Sequence, residues 1–216
     1  MNILFIGNSY TYYNEMPKIF EALAKENGFE ISVDSVTKGG RKLYENLDPC
    51  DENHRLIRSL CDSKAYDVLF LQENSTLPLR DSKAFMQGAK ELALLIGAKK
   101  NILYATWGRK NGSPTLSELG ISSEEMTDTV HEQYLLVAKN LGMDISPVGL
   151  SFKYLSSALP IIDLYSSDLS HPSYLGSCVA ALTHYYTLFG CEPKHYSSLS
   201  IEPQTVKSII DTVKVI

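Results

Sequence analysis

The chain has 216 residues, 44% of them hydrophobic and 21% charged, with a formal net charge of −5 and a pI near 5.5. That is enough chain for one α/β domain with a full core, read here as residues 1–216, and short for two. The acidic balance offers no electrostatic footprint for nucleic acid, and no apolar stretch approaches the roughly 20 residues of a membrane span.

The N-terminus has neither the basic region nor the apolar length of a signal peptide, so a cytoplasmic protein is expected. Asn2 to Gly7 (NILFIG) is a short, continuously apolar run, as in a strand covered on both faces. Glu15 to Asn27 has helical spacing, with Met16, Ile19, Phe20 and Leu23 on one stripe and Gly28 as its stop. EISVDSV (30–36) alternates as a strand. Asp51 to Cys61 predicts a short helix with Leu56, Ile57 and Leu60 inward.

DVLFLQ (67–72) is a second buried strand, followed by a helix from Ser82 to Ile96 that ends at Gly97. NILYATW (101–107) is the next strand. The following loop, 108–123, is long enough to suggest function. A long helix then runs to Leu141 and Gly142. MDISPVG (143–149) is the fifth strand, Leu150 to Ala158 a helix, 163–173 a loop, and Tyr174 to Phe189 a helix with an apolar stripe. Strands separated by helices at this spacing predict a three-layer α/β/α sandwich with a five-stranded parallel sheet, flavodoxin-like in its layering.

In open parallel sheets ligands sit beyond the carboxyl ends of the strands. Ser9 lies there after the first strand, Gly39 and Gly40 after the second, Gln72 and Asn74 after the third, and Trp107 and Arg109 after the fourth. Asp168 and His171 fall in the loop before the last long helix. A serine hydroxyl needs a base to become a nucleophile, histidine is the usual base, and a carboxylate on its other nitrogen fixes the tautomer. Ser9, His171 and Asp168 could fill those roles. An oxyanion needs preorganised donors, which the N–H of Ser9, the N–H of Gly40 and the amide of Asn74 could supply. Other readings stay open. Ser9 could cap the helix that follows it, Asp163 is a rival carboxylate, Gly39 rivals Gly40, and Gln72 rivals Asn74. Trp107, Arg109 and Gln72 are candidate substrate-contacting residues; Tyr10, Tyr12 and Tyr13 are expected to pack at the surface, with an aromatic rim as the alternative. The four cysteines, Cys50, Cys61, Cys178 and Cys191, show no metal spacing and are expected to be reduced, mostly buried thiols.

These residues resemble the sequence blocks of the SGNH (GDSL-like) hydrolases. Gly7-Asn8-Ser9 resembles their GDS block, with Asn8 in place of the usual aspartate. Gly39-Gly40 resembles their glycine block, LQENS (71–75) the block with the oxyanion asparagine, and DLSH (168–171) their Asp-x-x-His block. The blocks occur in family order and span nearly the whole chain. With TWGR and HPSYLG they are similar to a branch known as a domain of unknown function. The resemblance implies a serine esterase without metal or cofactor, acting on a short acyl ester of a small molecule or saccharide. A catalytically silent carbohydrate- or phosphate-binding protein on the same fold is the alternative.

Overall fold

A computed structural model describes residues 1–216. The elements, in chain order, are β1 (Asn2–Gly7), α1 (Ser9–Tyr12), α2 (Met16–Glu26), β2 (Ser32–Thr37), α3 (Glu52–Ser63), β3 (Val68–Leu71), α4 (Leu77–Arg80), α5 (Ser82–Ile96), β4 (Lys100–Tyr104), α6 (Pro114–Leu119), α7 (Ser123–Leu141), β5 (Asp144–Ser146), α8 (Val148–Ala158), α9 (Tyr174–Phe189) and α10 (Pro203–Val213). All five strands pair in parallel, in the order β2-β1-β3-β4-β5. The expected three-layer sandwich is the observed fold.

Strand alternation divides the core into two. Ile3, Phe5, Val68, Phe70, Ile102 and Tyr104 face one way, against α2, α8, α9 and α10. Leu4, Ile6, Leu69, Leu71 and Leu103 face the other, against α3, α5 and α7. Successive side chains of a strand point to opposite faces, so a sheet covered on both sides must be apolar at every position, as β1 and β3 are. Phe5 and Phe70 stack across the β1–β3 pair at 4.5 Å between centroids. No helix is long and apolar enough to cross a membrane.

Four details depart from the sequence pattern. Leu56 is 45% exposed, so α3 buries Ile57 but turns Leu56 to solvent. Cys178 is buried, but Cys50 and Cys191 are exposed. The chain also forms α10, whose Val206, Ile209, Ile210 and Val213 close one core. The long 108–123 loop contains α6.

The strand order reverses between β1 and its two neighbours, β2 and β3, the point at which the loops leaving adjacent strands diverge and open a crevice. Ser9, Gly40 and Asn74 all lie on those loops.

Candidate active site

The chain leaves β1 through a tight turn into α1. Asn8 is the N-cap of that helix: its Oδ1 accepts from the Tyr10 N–H at 3.1 Å. Ser9 is therefore the first helical residue and not the cap, which corrects the capping alternative. The N–H groups of Thr11 and Tyr12 donate to the Asn8 carbonyl. The N–H of Ser9, first in the helix, is left with no intrahelical acceptor and is free to serve an anion.

His171 reaches Ser9 from the opposite loop. Its Nε2 lies 2.8 Å from Ser9 Oγ, and its Nδ1 lies 2.5 Å from Asp168 Oδ2. An ionised carboxylate only accepts, so Nδ1 carries the proton and Nε2 presents its lone pair to the serine hydroxyl. Asp168 Oδ1 also accepts from the backbone N–H groups of Ser170 at 3.0 Å and His171 at 2.9 Å. Burial pushes the Asp168 carboxyl up, but the bonds from the imidazole and from these two N–H groups outweigh it and hold the group below its ordinary value. The turn between Asp168 and Ser170 places Leu169 at φ +61°, a costly conformation for leucine that its neighbours must enforce. The Leu169 N–H donates to Ser166 O, and its carbonyl accepts from the Lys110 N–H. Asp163, the rival carboxylate, pairs instead with Lys110 at 2.6 Å.

Aromatic side chains hold the imidazole in place. The Tyr13 ring stacks on His171 at 4.1 Å and 8°, and Tyr10 meets it edge-on at 5.6 Å. Tyr10, only 3% exposed, and Tyr13 are thus packing partners of the imidazole, whereas Tyr12 is exposed and packs on Tyr13.

The other two strand ends meet beside Ser9. Gly40 sits at φ +69°, where glycine is the favoured residue, and its N–H has no protein acceptor. The Asn74 amide donates one hydrogen to the Gly40 carbonyl at 3.0 Å, leaving its second N–H uncommitted. Asn74 Oδ1 is held by the N–H and hydroxyl of Thr76. Asn8 Nδ2 donates to the Arg41 carbonyl at 3.0 Å, tying the glycine loop to the serine turn.

The three candidate substrate contacts are not where the sequence pattern puts them. Gln72 is 1% exposed, and its amide is consumed beneath the site. Its Oε1 accepts from Asn8 N–H and Thr11 Oγ1, and its Nε2 donates to Glu73 O. Trp107 is fully buried, stacked between Tyr10 at 4.6 Å and Phe152 at 4.0 Å, with its indole N–H donating to Ser170 O at 3.1 Å. Arg109 is half-buried behind the Asp168–His171 loop. Its guanidinium bonds Tyr10 Oη and Ser170 Oγ and lies 5.2 Å from the Tyr10 ring centre. All three support the site from behind. Sequence reasoning missed Glu73, a fully buried carboxyl between Gln72 and Asn74. Its signal was a carboxylate two residues beyond the continuously apolar strand Val68–Leu71.

A cavity of about 430 Å³ lies against the same loop, lined in part by Lys110, Ser123, Lys153, Asp163 and Tyr165; none of Ser9, Gly40, Asn74 and His171 lines it. No group of three or more His, Cys, Asp or Glu side chains is gathered to hold a metal ion.

The fold and site together define an α/β/α sandwich with a Ser–His–Asp chain of hydrogen bonds at the end of its first strand. A protein assigned as an SGNH hydrolase from Slackia heliotrinireducens is 30% identical to this chain, with a TM-score of 0.76, covering 87% of this chain and 98% of its own. The chain belongs to the SGNH hydrolase family. A DUF4886 family protein from Bacteroides uniformis superposes with a TM-score of 0.84 at 17% identity, over 100% of this chain and 93% of that one. An acetyl-xylooligosaccharide esterase from a Geobacillus species shares the fold at a TM-score of 0.61 and 14% identity, covering 87% and 94%. No family model matches the sequence, and no curated protein does.

Proposed function

We propose that the protein is a serine esterase that removes a short acyl group, such as acetyl, from a polar alcohol of the saccharide class. The observation that carries this reading is the unbroken contact from Asp168 through His171 to Ser9 Oγ, at 2.5 and 2.8 Å. In the first half-reaction Ser9 Oγ bonds to the ester carbonyl carbon while its proton passes to His171 Nε2. Asp168 keeps the imidazole oriented and stabilises the cation. The carbonyl oxygen becomes an oxyanion received by the N–H of Ser9, the N–H of Gly40 and the free amide hydrogen of Asn74. The bond to the alcohol oxygen breaks, and that oxygen takes the proton from His171. Water repeats the sequence on the acyl-serine: His171 takes its proton, and Ser9 leaves with it.

The saccharide preference rests on analogy with the acetyl-xylooligosaccharide esterase of the same fold. The test is Ser9→Ala. Hydrolysis of acetylated saccharides and of short nitrophenyl esters should fall by about 10⁴–10⁶-fold, covalent labelling by a fluorophosphonate should vanish, and the circular dichroism spectrum should not change. A variant that is labelled and hydrolyses like the wild type would refute the assignment. Activity on nitrophenyl acetate with none on any acetylated saccharide would overturn the substrate class alone.

A further inference from the structure

Glu73 has no solvent exposure and no cationic partner within salt-bridge distance. Its carboxyl instead accepts backbone N–H groups from two different loops. Asn74 N–H donates to Oε1 at 2.6 Å, and Leu43 N–H lies 3.1 and 3.2 Å from the two oxygens. Leu43 opens the turn that follows the Gly39-Gly40 loop, and Asn74 carries the amide that bonds Gly40 O. The Glu73 N–H donates to Tyr134 Oη of α7 at 3.0 Å, which anchors the residue from behind. One buried side chain thus joins the two strand-end loops that supply the oxyanion donors.

We propose that Glu73 is a positioning residue for the oxyanion site, holding the glycine loop and Asn74 in register from beneath. The inference rests on the esterase reading above. Burial pushes the Glu73 carboxyl up to about 8, with Glu45 adding to the rise, while the N–H groups of Asn74 and Leu43 and the Lys42 charge oppose it. The titratable groups facing it are Lys42 and Glu45, from the 42–47 turn, and Tyr134 from α7. Around neutral pH Glu73 is therefore mostly protonated, one oxygen carrying an O–H and the other accepting. Ionisation would set a negative charge one residue from the amide that receives a negative oxygen, and should disfavour the transition state.

The experiment compares wild type, Glu73→Gln and Glu73→Ala, following kcat, KM and the rate of fluorophosphonate labelling from pH 6 to 9.5. Wild-type kcat should decline above about pH 8. Glu73→Gln, which keeps an acceptor oxygen but cannot ionise, should hold most of the rate at pH 6.5 and lose that decline. Glu73→Ala should reduce kcat by about 10-fold or more with little change in KM, since the loss falls on transition-state contacts. If Glu73→Ala fails to fold, the Glu73→Gln profile decides alone. An alkaline decline identical in Glu73→Gln and wild type overturns the inference and leaves the esterase reading standing. Absence of both hydrolysis and labelling in the wild type overturns the esterase reading, and this inference with it.

Discussion

Asn8 shows how much one atom can decide. Where the resembling block has aspartate, this chain has an amide whose two ends do different work: Oδ1 caps α1, and Nδ2 donates to the Arg41 carbonyl at 3.0 Å. An aspartate would keep the cap but present an oxygen to that carbonyl, with no hydrogen between them. Asn8→Asp should therefore loosen the glycine loop while leaving Ser9 and His171 in place. We expect kcat to fall by roughly 10-fold, the loss of one neutral hydrogen bond plus an unpaired acceptor, with fluorophosphonate labelling slowed but not abolished. Unchanged kcat would show that the contact does not hold the loop. At this scale the sequence made Ser9, Asp168 and His171 legible, because the chemistry of each needs the other two. It did not separate Gln72 from Asn74, since strand alternation gives both the same nominal facing. β3 in fact ends at Leu71, so alternation no longer applies at either residue, and only the structure shows that the Gln72 amide is spent on Asn8 and Thr11. Trp107 misled for the same reason: β4 ends at Tyr104, and the indole turns inward after it.

Among the elements, the central strands and long helices were readable from periodicity, because burial on both sheet faces leaves apolar runs and a single buried helix face leaves a stripe. The helices Ser82–Ile96 and Tyr174–Phe189 have their expected limits. The short α1, α4 and α6 were not readable, as four to six residues cannot display a period. α10 had its signal, Pro203 at the first turn and apolar residues at helical spacing, in a stretch the pattern reading left unassigned. The junction of β1 and α1 depends on Gly7. A Cβ there would stand 2.5 Å from Thr11 Oγ1 and 2.6 Å from Gln72 Oε1, closer than a Cβ approaches a non-bonded oxygen. Gly7→Ala must push apart the strand, the helix and the Gln72 side chain, which accepts from the Asn8 N–H and the Thr11 hydroxyl. Overpacking of this kind costs about 1–3 kcal/mol, which chemical denaturation should read as a lower midpoint at unchanged slope. A midpoint equal to wild type would mean that the turn has slack not visible in its contacts.

For the whole molecule, two buried titrating groups in different parts of the core set opposing pH dependences. His184, packed among Phe5, Phe70 and Tyr104, bonds Ser146 Oγ at 2.7 Å through Nδ1, and its Nε2 has no partner. Burial pushes it down to about 3 from 6.5. A group depressed in the fold contributes stability present above its unfolded value and lost as pH falls, so its window runs from 6.5 down to about 3. Glu73, raised to about 8 from 4.5, does the reverse: its contribution is full below 4.5 and is lost as pH rises towards about 8. The two slopes cancel between them, so stability from these groups should be flat from about pH 4.5 to 6.5 and fall on either side. Thermal unfolding across pH should show His184→Gln flattening the acid side and leaving a decline that begins at about pH 4.5, and Glu73→Gln flattening the alkaline side and leaving a rise that continues to about pH 6.5. A single variant that flattened both would show that the two groups titrate together.

The chain has one tryptophan, and it is the residue whose N–H holds the carbonyl of Ser170, between Asp168 and His171. Emission excited in the indole band therefore comes from a single point in the molecule, the back of the loop that carries the base and its carboxylate. Movement of that loop when Ser9 is acylated, or when a ligand enters the crevice, would alter the hydrogen bond on the indole and shift its emission without any added dye. The protein carries its own optical gauge of the Asp168–His171 loop, placed where no solvent quencher reaches it.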